Sequence, residues 1–324
     1  SGAGSRSAST EFTDRTDRHR LSLYHSVNIE TNFTAKLLLQ DQSDRFMNRD
    51  FFESDFRRDP QPESHVEIAK HWQNFSVSLL AQPQVDEFYQ TIERLPELRV
   101  TGLRQRLGDS PIFYESEASF GYFKFSPSSD HLDLNGYEAF RGDTHQQLLL
   151  PKNYSGWLNV VPHAGLRFTH YGSRSSDNSG FVQMNDLNRS VFNTGVEFSF
   201  KASSTLPDAK LSLLDVNGLR HVVQPMANYL FVPEPNKRPW ELPQFDRELH
   251  SLRLRPIDFP DYNSIDTIDS SNVIRIGVRN RLQTKRFGLV DDVLNWELFT
   301  DWRLDNDLYE ARFNDVYSDL EVKP

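Results

Sequence analysis

The sequence predicts an all-β fold: an antiparallel transmembrane β-barrel of outer-membrane type. Three observations predict it. Apolar and polar residues alternate with a period of two along many stretches. Many of these run about 9–12 residues, longer than the usual ~5–6 of soluble sheets and suited to a strand that crosses a bilayer at a tilt. The connections between them are unequal, as the short turns and long loops of such barrels are. Composition fits the same picture. Mean hydropathy is low, at −0.62, which by itself points to disorder. Yet the chain carries 24 Phe, 11 Tyr and 5 Trp. Strands with one wet face and one greasy face reconcile the two.

The strands follow in order. Leu21, Leu23, Val27 and Ile29 alternate with Ser22, Ser26 and Asn28, and Phe33, Ala35, Leu37 and Leu39 continue the pattern. Phe75, Val77, Leu79 and Ala81 repeat it around Ser76 and Ser78. Ile112, Tyr114, Ala118, Phe120 and Tyr122 share one face; Glu115, Glu117 and Ser119 share the other. Leu158, Val160, Ala164, Leu166 and Phe168 alternate with Asn159, His163, Arg167 and Thr169. Thr194, Val196, Phe198 and Phe200 alternate with Gly195, Glu197, Ser199 and Lys201. Near the end, Ile274, Ile276, Val278 and Leu282 oppose Arg275, Gly277, Arg279 and Arg281. Leu294, Trp296, Leu298, Trp302 and Leu304 then oppose Asn295, Glu297, Asp301 and Arg303. Roughly ten to thirteen such strands are expected.

Long polar connections lie at 43–63, 173–188 and 233–270. One segment departs from the pattern. Val85, Phe88, Tyr89, Ile92 and Leu95 fall at helical spacing after Pro83, which suggests a short helix or a structured turn. Residues 1–18 read as a disordered or linker segment, and 19–324 as the partial barrel domain. The chain reads as a piece of a longer protein.

A soluble β-sandwich also alternates. Trp296 and Trp302 tilt the reading toward a membrane. They share the apolar face six residues apart, about 20 Å along a strand, close to the ~25 Å band between interfacial aromatic girdles. On the barrel reading, Phe198, Phe200, Trp296 and Trp302 face lipid. Glu115, Glu117, Arg167, Arg275, Arg279, Arg281, Glu297 and Asp301 face the lumen.

Charge and residue inventory exclude several functions. A formal net charge of −10 argues against a nucleic-acid binder. Zero cysteines remove disulfides, thiol catalysis and Cys-ligated metals. No apolar run approaches the ~18 residues of a transmembrane helix. No phosphate-cradling glycine loop or nucleophile elbow occurs. The ten histidines form no His-Glu-x-x-His or His-x-His pair, so no metal or other cofactor is expected. Glu115 and Glu117 are neighbours on one strand face, as a glycosidase pair would be. A wetted acidic strand face is the better reading of them, since nothing nearby marks a sugar cleft. Asp258, Asp261, Asp266 and Asp269 are either a cation-binding cluster or ordinary turn formers. Arg275, Arg279 and Arg281 either grip an anionic headgroup or pair across strands with Glu297 and Asp301. Pro162 and Pro225 sit inside strand-like runs, where proline belongs at an edge or bulge.

Several short motifs are less anonymous. Gly218-Leu219-Arg220-His221-Val222-Val223-Gln224-Pro225, then Tyr229, Phe231 and Pro233, resembles the Arg-His-x-x-x-Pro…Tyr…Pro signature of the LPS-assembly protein LptD (OstA) family. Leu242-Pro243-Gln244-Phe245-Asp246 is similar to the family pattern too, as is Tyr262-Asn263-Ser264-Ile265-Asp266 followed by Asp269 and Asn272. So are Ser43-Asp44 with Phe51, Asp55 and Phe56, Arg94-Leu95-Pro96-Glu97-Leu98, and Gly165-Leu166-Arg167 with Thr169 and Tyr171. The motifs occur in family order from about residue 20 onward. The resemblance implies a very large outer-membrane barrel of a Gram-negative bacterium, about half of it covered here. It implies a translocon that receives lipopolysaccharide (LPS) from a periplasmic bridge protein, holds an LptE-type plug lipoprotein, and assembles LPS into the outer leaflet. The cysteines that some members use to join domain and barrel are absent. Such a transporter needs no catalytic residues. A passive porin and a soluble β-rich glycan-binding protein are the competing expectations.

Overall fold

The computed structural model describes residues 17–129, 135–172, 175–176, 185–211, 216–246, 265–286, 289–305, 313 and 316–323. Its strands are β1 (Arg20–Glu30), β2 (Phe33–Gln42), β3 (His65–His71), β4 (Phe75–Gln82), β5 (Thr91–Arg106), β6 (Phe113–Ser126), β7 (Tyr137–Leu149), β8 (Lys152–Tyr154), β9 (Leu158–Tyr171) and β10 (Ser175–Ser176). They continue with β11 (Leu187–Phe200), β12 (Ala202–Leu211), β13 (Val216–Val232), β14 (Ser271–Arg286), β15 (Leu289–Arg303) and β16 (Tyr317–Val322). All belong to one 16-stranded sheet, and thirteen of them form a continuous path, β1-β2-β3-β4-β5-β6-β7-β9-β11-β13-β14-β15-β16. Every described pairing is antiparallel. Among the described residues the sheet does not close; β1 and β16 are its two edges. Because neighbours reverse at each step along a path of thirteen, these edge strands run in the same direction.

Two of the strands off the path are continuations, and proline explains the breaks. β7 and β8 pair with β9 in one unbroken register, from Leu149↔His163 to Lys152↔Val160. Between them lie Leu150 and Pro151, opposite Pro162 and Val161. β11 and β12 share a register on β13 in the same way, from Ser199↔Met226 to Ala202↔Val223. The break at Lys201 lies beside Pro225. Proline has no N–H to give the ladder, so each interruption falls where that donor is missing.

The connections sort onto two rims. At one rim, neighbouring strands are joined by 31–32, 72–74, 107–112 and 155–157. Ser155 (φ 52°) and Gly156 (φ 78°) there are both left-handed, as a type I′ hairpin turn requires. The other rim carries 43–64, 83–90, 127–136, 172–186, 233–270 and 304–316. Two short helices occur in the first of these, α1 (Met47–Phe51) and α2 (Glu53–Arg58). The helical spacing around Val85 forms no helix: a turn at 87–89 leads directly into β5. Among the described residues no helix is long and apolar enough to cross a membrane, which says nothing of a β-barrel.

Candidate functional site

The sheet is inverted relative to a soluble sandwich. Along β11, Arg189, Val191, Asn193 and Gly195 are buried, while Asn188, Ser190, Phe192 and Phe198 are exposed. Along β9, His163, Arg167, Thr169 and Tyr171 are buried, while Ala164, Leu166 and Phe168 are exposed. Charge therefore sits inside and large apolar side chains outside. Arg141, Arg167 and Arg189 are no more than 1% exposed, whereas Leu166 is 54% exposed.

The apolar face is continuous across the sheet. Leu79, Leu98, Phe120, Tyr122, Phe140 and Leu148 add to it. Phe198, Trp296 and Trp302 lie on it, 37–40% exposed. Phe200 packs edge-to-face on Trp157 at 5.5 Å, and Trp302 stacks on Phe313 at 5.8 Å. From Leu294 to Leu304 this face spans ten residues, about 33 Å along the strand and ~25 Å once tilted by ~40°.

The polar face is a wall of paired charges. Arg275 makes two bonds to Asp301, at 2.7 and 2.9 Å. Arg279 pairs with Glu297. Each pair joins register partners on β14 and β15, which is the cross-strand alternative for the arginine row. Arg281 lies on the same face, half-buried, opposite Asn295. Arg167 reaches both oxygens of Asp143 (3.1 and 2.9 Å), and Thr169 donates to the same carboxylate at 2.7 Å. Glu117 lies 3.9 Å from Arg167, and Glu115 accepts from Arg104 at 2.9 Å. The two glutamates thus have separate cationic partners.

At the long-connection rim a strap folds back onto this wall. It consists of residues 242–246 and 265–268. Phe245 inserts among Phe123, Ala139, Tyr171 and Leu242, and Ile268 packs with Val191, Leu230, Val232 and Val273. Between these apolar seats lies a buried ion cluster. Arg141 Nη1 donates to Asp246 Oδ1 and to Asp266 Oδ2, both at 2.8 Å, and its guanidinium lies 4.4 Å over the Phe123 ring. Asp266, fully buried, also accepts from the Tyr171 hydroxyl (2.5 Å) and the Phe245 N–H (2.7 Å). The Asp266 N–H donates to Asp246. Arg189 donates to the carbonyls of Ile265, Asp266 and Ile268, and Tyr137 donates to the Gln244 carbonyl at 2.8 Å. Burial and the neighbouring Asp266 carboxylate push Asp246 up to about 6.

The motif residues separate into two places. Phe245, Asp246 and Asp266 hold the strap. Arg220, His221, Pro225 and Tyr229 lie on β13. Arg220 is exposed with Ser203 3.4 Å away, His221 shares a 3.3 Å hydrogen bond with Asn280, and Tyr229 is opposite Ile274. Asp269 stands 3.9 Å from Arg238. Asp266 and Asp269 therefore have different partners, while Asp258 and Asp261 lie outside the described residues. Arg141 and Arg189 are the residues that sequence reading missed, while Tyr171 stood out only as part of the family motif that begins at Gly165. Their alternation marks the polar face, but no local signal tells them from other polar residues there.

A family model described as "LptD: LPS transport system D" matches residues 16–292. Comparison with curated proteins found no match.

Proposed function

Given that the chain belongs to the LptD family, β-barrel proteins of the Gram-negative outer membrane that serve LPS transport, we propose that it forms wall of the translocon that assembles LPS into the outer leaflet. Residues 19–324 are then the partial barrel domain, preceded by a linker. The observation that carries this reading is the inverted sheet: a continuous exposed apolar face backed by buried, paired charge. A bilayer is the solvent in which that arrangement is favourable.

In this reading Phe198, Phe200, Trp296 and Trp302 meet lipid. Glu115, Glu117, Arg167, Arg275, Arg279, Arg281, Glu297 and Asp301 line the bore. The rim of short turns is periplasmic and the rim of long connections is extracellular, as in other outer-membrane barrels. The phosphate-bearing head of LPS passes a hydrophilic wall while its acyl chains stay with the apolar side. Transport of this kind requires positioning and a solvent boundary, with no bond made or broken. An LptE-type plug lipoprotein and a periplasmic LPS bridge protein are the partners this role implies. A passive porin shares the two-faced wall, but the strap laid across the polar face speaks against a permanently open bore.

The experiment is depletion of the protein in its own host, followed by chemical labelling of newly made LPS at the cell surface. Surface LPS is expected to fall as the protein is depleted. Delivery at the undepleted rate removes the proposal.

A further inference from the structure

The charges of the polar face are not spread evenly, and their arrangement deepens the proposed function, on which this inference rests. We infer that Lys201, Arg220 and Arg281 form a capture site for the phosphate groups of a lipid headgroup, close to the rim of short turns.

Three observations carry this. First, these cations are left without acids. Elsewhere on the polar face, Arg141, Arg167, Arg275 and Arg279 each hold a carboxylate. Among the described residues, Lys201, Arg220 and Arg281 form no ion pair, and their one hydrogen bond is the long contact from Arg220 to Ser203 at 3.4 Å. Scarcity of acid does not explain this, since the chain has 46 Asp plus Glu against 36 Lys plus Arg.

Second, register gathers them. Arg281 lies opposite Val222, two residues from Arg220 along β13, so the two arginines are diagonal neighbours about 7–8 Å apart at the backbone. Lys201 falls opposite Gln224, in the register that runs from Ser199↔Met226 to Ala202↔Val223. Arg279 faces Gln224 from the other side. Three successive rows thus cross β13 at Gln224, Val222 and Arg220. On β13 and the segments directly beside it, these rows hold four cations and no carboxylate. Carboxylates begin one strand farther on, at Glu297 and Asp292. Both are engaged, by Arg279 and by the Gln283 amide at 2.8 Å.

Third, the patch is open. Lys201 and Arg220 are exposed and Arg281 is half-buried, so a ligand reaches them without displacing packed side chains.

Like charges this close repel one another, and an anion between them relieves the repulsion. Each guanidinium takes two phosphate oxygens in parallel hydrogen bonds, while Lys201 adds a mobile point charge. A patch of one sign also raises the local concentration of an oppositely charged ligand. Position supplies direction. The patch lies toward the short-turn rim, periplasmic in the proposed reading, whereas Arg141 and Arg275 near the other rim are already neutralised. A phosphorylated head is drawn in at one end and is not retained at the other.

The test titrates the full-length protein in detergent with the LPS of its host, either intact or stripped of phosphate. At low salt the parent is expected to bind the intact form about tenfold more tightly, and added salt should narrow the gap. Arg220→Gln with Arg281→Gln should weaken binding of intact LPS about tenfold and leave the stripped form unchanged. Arg220→Lys with Arg281→Lys should fall between, because charge is kept and the planar fork is lost. Lys152 is opposite Val160, on the apolar face near the same rim; Lys152→Gln removes an equal charge and should change nothing. Heat-dependent gel migration checks folding. Lys201→Gln, at an exposed strand break, is expected to lose several-fold and decides the matter should the double arginine variant not fold. Equal binding of the two LPS forms by the parent, or an equal loss in Lys152→Gln, overturns the site. Displacement of intact LPS by an equimolar amount of inorganic phosphate assigns the patch to a free anion and overturns the headgroup. Loss of a co-purifying acidic protein, with both LPS affinities kept, makes the patch a protein contact and overturns it too. The titration does not depend on delivery: should depletion leave surface LPS unchanged while the phosphate preference holds, the proposed function fails and the anion site stands.

Discussion

Ala164 offers the sharpest test of which solvent meets the apolar face. It lies on β9 with its side chain exposed, between Pro162 and Leu166, and opposite Leu148 and Thr194 in register. Ala164→Arg removes almost no packing, so any cost arises from where the guanidinium must sit. On a water-facing sheet, an exposed substitution of this kind changes stability by no more than about 0.5 kcal/mol. Six residues separate Ala164 from Leu158 at one end of the apolar run and four from Phe168 at the other, which puts it near the middle of the band. Arginine near a bilayer midplane costs a barrel about 2–4 kcal/mol, falling to ~0–1 at the interface. Asn188→Arg, on the same face at the long-connection end of β11, is therefore the matched control, with a cost of ~0–1 kcal/mol. The assay is denaturant titration of the full-length protein in phospholipid vesicles. Equal costs for the two variants, within about 0.5 kcal/mol, refute membrane contact for this face.

Other expectations concern the wall and the strap. Arg275→Leu strands Asp301, which is 7% exposed in its side chain; a loss of about 3 kcal/mol is expected, tempered by water on that face, and Arg275→Leu with Asp301→Leu should recover most of it. A double-mutant cycle measured by the same titration decides. At Gly277 an added Cβ would stand 2.1 Å from Phe299 Cδ1 and 2.9 Å from the Leu298 carbonyl. Gly277→Val should cost ~1–3 kcal/mol, and Phe299→Ala should relieve only the ring's share; full tolerance of the valine contradicts the close contact. Asp246 holds its proton up to about 6 when folded, above the ordinary carboxylate value. The folded state thus binds more protons, so strap docking should strengthen as pH falls through about 6 toward 4 and weaken as pH rises through it. Protection of the strap from proteolysis should follow that slope in the parent and lose it in Asp246→Asn. Asp86, pushed up to about 6 by burial, should contribute a slope of the same sign near Gln42, and Asp86→Asn should abolish it.

The period of two carried most of what could be read beforehand. It separates Arg275 and Arg279 from Ile274 and Ile276 without reference to any partner, and register then brings those arginines opposite Asp301 and Glu297. Thirteen staves agree with the ten to thirteen expected, and the two prolines mark where labelled strands break. The spacing of Val85, Phe88, Tyr89, Ile92 and Leu95 allowed a short helix or a structured turn, and the turn is what forms, because the spacing joins it to a strand; the register of β5 also shifts between Arg94 and Glu97, which displaces the alternation. α1 and α2 have five and six residues, too few for a helical period to stand out in an aromatic, charged connection. The strap was illegible for a different reason. Arg141 and Asp266 are 125 residues apart, and such a contact leaves no periodic trace. Asp266 stood out through its place in a family motif and in the acidic run of its connection, but its cationic partner did not stand out at all.

The common heading of the two outermost staves bears on how this wall can be completed. If β1 and β16 were zipped directly to each other, that single seam would be parallel in a sheet otherwise wholly antiparallel, with slanted and slightly weaker ladder bonds. Uniform alternation around a ring instead demands an odd tally of added staves between them. Curling up alone into a narrow tube is therefore disfavoured by handedness of travel, before any question of side-chain fit arises.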